Sequence, residues 1–272
     1  MGLVNSILAT IRFELSRVLT FQRLCVALVM ALFPPAMIFI LDISGSLNMP
    51  EFNICLLCGM ICLLSLLLWA TSNVYTELEG KSWTFVTTRP YGRWSILFGK
   101  YLIAAGISFL ISWIALSLCM VVAADQPFAV QLDPQTDEIR ISRWEIWLYL
   151  SVLLFLASMA YAAIFSLLGV VIQRRAMVFA VVYFGVVELV CASLPAIIGK
   201  FAVSFHMFCL LFQWVGWLLP DDEGKQQFAA MWGVQSPWIH LAAIFTLTFL
   251  SLAAAALIIR WREYLTLEDS QV

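Results

Sequence analysis

Residues 77–100 read ELEGKSWTFVTTRPYGRWSILFGK. This is the longest polar passage between apolar runs that also carries several cations: Lys81, Arg89, Arg93 and Lys100. On either side the chain turns apolar for long enough to cross a hydrocarbon core of ~30 Å, which takes about 20 helical residues. Residues 52–73 precede the passage and residues 101–124 follow it. The passage therefore reads as a loop joining two membrane spans.

The rest of the 272-residue chain fits that frame. It is 63% hydrophobic and only 12% charged, with a mean hydropathy of +0.96. Soluble domains average about 45–50% apolar and about 25% charged residues, so too little polar surface is available here for a separate water-facing domain. The expected fold is an all-α polytopic membrane protein, one transmembrane domain over residues 1–272. No nucleic-acid partner is expected, because the net charge is -2 and the charges segregate by side.

Outward from the loop, six spans are expected at about 24–41, 52–73, 101–124, 146–172, 177–198 and 238–259. The first contains Pro34-Pro35 and is expected to kink or break there. Before it, Leu3, Val4, Ile7, Leu8, Ile11, Leu15, Val18 and Leu19 recur at helix spacing, which fits an amphipathic interfacial helix over residues 2–20. A cleaved signal peptide is not expected, because no small-residue cleavage site follows the first apolar run. Residues 201–219 are also apolar but interrupted by His206, Gln213 and Gly216. They form either a re-entrant pair of short helices or a further span.

Charge favours six spans. They put eleven cations on one side: Arg12, Arg17, Arg23, Lys81, Arg89, Arg93, Lys100, Arg174, Arg175, Arg260 and Arg262. Arg140, Arg143, Lys200 and Lys225 fall on the other, together with most of the acids. The cation-rich side is cytoplasmic, so both termini and the 77–100 loop are expected inside a cell membrane, a bacterial inner membrane by preference. Trp144, Trp147, Trp214, Trp217, Trp238 and Trp261 fall near span ends, where amphipathic rings settle. The 125–145 segment reads as an ordinary solvated loop.

Few residues promise chemistry. Gly80-Lys81-Ser82 resembles the end of a phosphate loop, but Tyr75 stands where the first glycine belongs and a membrane span replaces the strand. No nucleotide-binding pattern appears, so the chain is not expected to be an enzyme or to carry a cofactor. The seven cysteines lie in or beside apolar runs and read as small buried hydrophobes. Cys55, Cys58 and Cys62 share a helix face with Met60 near it, and His206, Met207 and Cys209 cluster in sequence; packing is the preferred account of both sets over a soft-metal site. Glu188 is the acid placed well inside an expected span, where a carboxylate is expensive. Two accounts stand side by side. It lines a substrate path or proton relay, or it holds helices together through Ser193 or Tyr183.

The loop itself is the specific signal. Glu77 and Glu79 close the preceding span, Gly80 breaks the helix, and Ser82 caps a short new one with Trp83, Phe85 and Val86 on its apolar face. Arg89-Pro90-Tyr91-Gly92-Arg93 makes a turn. The series Glu77, Glu79, Gly80, Ser82, Arg89, Pro90, Arg93, Gly99 and Lys100 resembles that of the ABC-2 type permeases, membrane subunits of ABC exporters. The layout of amphipathic start, six spans, this loop and a long outer segment before the last span resembles them too. The resemblance implies that a separate ATPase subunit, holding ATP and Mg, docks on Glu77, Glu79, Gly80, Ser82, Trp83, Phe85, Arg89, Pro90 and Arg93 as a coupling helix. It implies a homodimer, or pairing with a second permease, within membrane lipid. The substrate would be apolar or amphipathic. The alternatives are a polytopic membrane enzyme or a secondary transporter using Glu188.

Overall fold

The computed structural model describes residues 3–44, 50–71, 92–123, 130–133, 136–140, 142–172, 175–191, 199–215 and 236–261. These form eight α-helices: α1 (Leu3–Val18), α2 (Phe21–Ile43), α3 (Pro50–Trp69), α4 (Gly92–Val122), α5 (Arg143–Val171), α6 (Ala176–Tyr183), α7 (Val203–Val215) and α8 (Pro237–Trp261). A π-helix over Phe184–Cys191 continues α6, and a 3-10 turn over Gly199–Phe201 precedes α7. Among the described residues, five helices are long and apolar enough to cross a membrane: Phe21–Ile43, Phe52–Trp69, Arg93–Val122, Arg143–Val171 and Pro237–Trp261. The chain is thus a helical, multi-pass membrane protein.

Several details depart from the expectation. Of the span expected over 177–198, the described residues form eight residues of α6 followed by eight of π-helix, as far as Cys191; residues 192–198 lie outside the described residues. The apolar passage from residue 201 contains α7, of which thirteen residues are described. Pro34 and Pro35 do not break α2; both lie buried inside one continuous helix, where packing against α3 and α4 supports the backbone they leave unbonded. The segment after α4 is not wholly loop. Val130–Asp133 (β1) and Thr136–Arg140 (β2) pair antiparallel. Residues 92–100, expected as the end of the loop, are already the first turns of α4.

Helix α5 is the centre of the bundle. Of its apolar window 67% is buried, against 22% for α2 and for α8. It packs on α3, α4, α6, α7 and α8. Its start is fixed by Glu145, whose carboxylate accepts the Ser142 backbone N–H at 3.1 Å, a reciprocal cap that satisfies a helix-start donor. Small residues let the neighbours close in. Ser108 on α4 donates to the Cys62 carbonyl of α3 at 2.8 Å, and Ser65 donates to Ser108. Such short polar links hold helices together where the hydrophobic effect between them is weak.

One end of the bundle gathers five elements. Gly99 on α4 lies so close to α1 that an added Cβ would stand 2.8 Å from Thr10 Cγ2. At Gly169 near the end of α5, an added Cβ would stand 2.7 Å from the Thr71 carbonyl oxygen, just past α3. Arg93 donates from the first turn of α4 to the Arg260 carbonyl at the end of α8, 3.1 Å away. Leu97, Val170, Ala255, Ala256 and Ile259 form a small core among these ends. The opposite end carries the start of α5, where Trp147 Nε1 donates to Ser117 Oγ of α4 at 3.2 Å and Trp144 stacks on Trp147.

Candidate functional site

Glu188 sits in the π-helix and is 3% exposed. Four donors converge on its two oxygens. Oε1 accepts from the Tyr183 hydroxyl at 2.9 Å and the Val203 backbone N–H at 3.2 Å. Oε2 accepts from the Tyr161 hydroxyl at 2.9 Å and the Ser204 N–H at 2.8 Å. Ser204 Oγ in turn donates to the Glu188 backbone carbonyl at 3.1 Å. The four donors match the acceptor-only inventory of a carboxylate. Two of them are first-turn amides of α7, the groups a helix leaves without an internal partner, so Glu188 caps a helix to which it does not belong.

The local backbone explains the meeting. Tyr183 and Glu188 are five residues apart, a separation that falls off the face of a 3.6-residue helix but suits the i→i+5 spacing of a π-turn. The wide turn thus brings Tyr183 and Glu188 together, while Tyr161 reaches across from the centre of α5. The carboxylate joins three elements: α5, α6 with its π extension, and α7. This is the arrangement that the helix-holding account of Glu188 asks for. Tyr183 is one of the two partners named for it from the sequence; the other, Ser193, lies outside the described residues.

One turn further along α7, His206 meets His240 of α8 with Nδ1 to Nδ1 at 2.9 Å. His206 Nε2 stands 2.8 Å from the Lys200 carbonyl oxygen. A carbonyl only accepts, so Nε2 of His206 carries a proton and donates. In the neutral pair His206 Nδ1 is then the acceptor, and His240 Nδ1–H donates to it. His240 Nε2 is buried without a partner among the described residues. Phe205 packs edge-on against His206 and tilts against His240. Polar contacts thus run from α5 through Glu188 to α7, and onward through the histidines to α8. The pairing of two histidines thirty-four positions apart leaves no local spacing signal, and sequence reading does not find it.

Among the described residues no group of three or more His, Cys, Asp or Glu side chains is placed to hold a metal ion. Cys58 and Cys62 are buried in the main core and Cys55 is half-buried beside it. Cys209 is buried with Ala202 and Phe205.

Of the residues expected to couple to an ATPase, Glu77, Glu79, Gly80, Ser82, Trp83, Phe85, Arg89 and Pro90 lie outside the described residues. Arg93 is described, in the first turn of α4, bonded to Arg260 as above. A second feature at that end is an ion pair that sequence reading missed. Lys100 Nζ stands 3.4 Å from Glu14 Oε1, with Lys100 5% exposed and Arg17 also 3.8 Å from that carboxylate. Ile7, Thr10, Glu14 and Val18 mark the protein-facing stripe of α1, while Val4, Leu8, Leu15 and Leu19 point outward. The pair therefore pins α1 to α4 close to where the 72–91 segment rejoins the bundle.

The chain matches no protein-family model, no curated protein and no solved structure with which it was compared.

Proposed function

We propose that the chain is the permease subunit of an ABC-2 type exporter, moving an apolar or amphipathic substrate under the drive of a separate ATPase subunit that binds ATP and Mg. One observation carries this reading: the polar segment between α3 and α4 leaves and re-enters the bundle at the end where α1, the start of α4 and the ends of α5 and α8 meet. A force applied to that segment is delivered to Thr71 against Gly169 on one flank and to Arg93 and Lys100 on the other. Each flank is locked to a different neighbour, so the load reaches α1, α5 and α8 together.

Charge supports the orientation. Arg17, Arg93, Lys100 and Arg260 lie at this end, and Arg23 and Arg175 adjoin it in sequence. Arg140, Arg143 and Lys200 belong with the opposite end. The positive-inside bias then puts both termini and the 77–100 loop in the cytoplasm. In this reading α6 with its π extension and α7 form a broken sixth crossing and an outer re-entrant element before α8. Two copies, or one copy with a second permease, complete the transporter.

A ligand shifts a conformational equilibrium only by binding its states differently, so the loop must contact the motor differently in the two membrane conformations. Charge reversal at Arg89 or Arg93, or Trp83→Ala, is expected to leave ATP turnover running while transport falls. The measurement is ATPase activity and substrate efflux from proteoliposomes holding the co-purified complex. Coupled transport at the wild-type level in all three variants overturns the reading. Failure of any Walker-motif ATPase to co-purify overturns it as well.

A further inference from the structure

Next to the Glu188 carboxylate lies a cavity of about 160 Å³, bounded by α3, α5, the π-helix and α7. Cys55, Cys58, Met60 and Met207 are among its lining residues, with Phe184 and Phe208 among the rings. Glu188, Tyr161 and Ser204 supply its polar wall, and their groups are already engaged. All four acceptor positions of the carboxylate are taken. The Tyr161 and Ser204 hydroxyl protons are spent on Glu188. A buried water needs two to four polar partners, whereas apolar voids of roughly 150 Å³ stay dry and accept benzene or xenon. Leu56 and Met60 line it and are 47% and 41% exposed on α3, a helix long and apolar enough to cross a membrane. In that setting a way in beside them lies in hydrocarbon rather than water.

We propose that this cavity is a binding site for a small uncharged apolar molecule, of the size of a single aromatic ring, that enters sideways from the bilayer between α3 and α7. The wall chemistry fixes the class. Thioether and thiol sulfur pack favourably on aromatic rings. Among the described lining residues the hydroxyl protons are spent and only weak thiol donors remain for a polar guest, and no cation faces an anionic one. An ammonium guest would have to draw the carboxylate away from four donors that already satisfy it. The site does not depend on the transport reading, since it requires no ATPase. A bound guest touches Met207 and Phe208, so it bears directly on the helix that Glu188 caps.

Photolabelling the purified protein in phosphatidylcholine vesicles with 3-trifluoromethyl-3-phenyldiazirine, followed by peptide mapping, tests this. The expected result is adducts on Tyr161, Phe184 or Met207, removed by excess toluene, with adducts on the exposed faces of α2 and α8 unaffected. Gly59→Phe supplies the second arm. Gly59 lines the cavity, and a Cβ there meets nothing within 4 Å, so the ring fills the void without backbone strain and the cavity adducts are lost. Labelling confined to the exposed faces overturns the proposal. So do cavity adducts that toluene does not displace, or that persist in a folded Gly59→Phe. Should that variant not fold, toluene competition on the wild-type protein decides alone.

Discussion

At the scale of single residues the site rests on donor counting. Glu188→Gln keeps the shape but turns an NH₂ toward two donors. On either oxygen one of those donors is a tyrosine hydroxyl that can rotate, and the other is a backbone N–H that cannot. An unpaired buried amide costs about 1–3 kcal/mol, so the variant is expected to lose about that much stability in thermal unfolding in detergent. Tyr183→Phe removes one donor and leaves the carboxylate three; its expected loss is about 1 kcal/mol. A Glu188→Gln protein as stable as the wild type would show that the four-donor arrangement does not hold α7. The sequence pointed to Glu188 because a lone acid in an apolar run is rare and costly. It could not show which groups satisfy the acid, because Tyr161 and Ser204 are brought there by packing rather than by spacing.

Among the elements, a close approach to backbone differs in kind from an open one. A Cβ at Gly169 would press on a backbone carbonyl, which cannot swing aside, whereas one at Gly59 meets nothing. Gly169→Ala is expected to destabilise by on the order of 1–3 kcal/mol through overpacking. Gly59→Ala is expected to be neutral or stabilising by up to about 1 kcal/mol, through better helix propensity. Melting temperatures of the two variants side by side check the contrast. The long helices α2, α3, α4, α5 and α8 were legible because hydropathy summed over twenty residues overwhelms local detail. The β1–β2 pair was not: two short strands leave little pattern, and Pro134 reads equally as loop. Nor was the π-helix, because apolar residues on every side of Phe184–Cys191 hide any change of period. Its effect is one of phase. Were the same five-residue separation wound on an α-period, the carboxylate would stand about 100° round the helix from where an i,i+4 partner of Tyr183 sits, out of its reach.

For the whole molecule the open question is which end faces the cytoplasm. Single cysteines introduced at Trp83 and at Glu138 in a variant lacking the seven native ones answer it with a membrane-impermeant maleimide on intact spheroplasts. Glu138→Cys is expected to label directly, and Trp83→Cys only after permeabilisation. The reverse pattern would invert the molecule and remove the docking loop from reach of any cytosolic motor. The sequence predicts sidedness because cations are unevenly shared between the two ends. The Glu14–Lys100 pair bears on how the protein is made. At about 5–20 residues per second the ribosome delivers Glu14 several seconds before its lysine exists. Until then Glu14 has only Arg17 of its own helix for a partner and α1 has no groove to enter, so α1 must wait at the headgroups while α2 and α3 insert. Docking of the N-terminus is therefore a late event in biogenesis, and nascent chains halted before α4 should leave it open to protease.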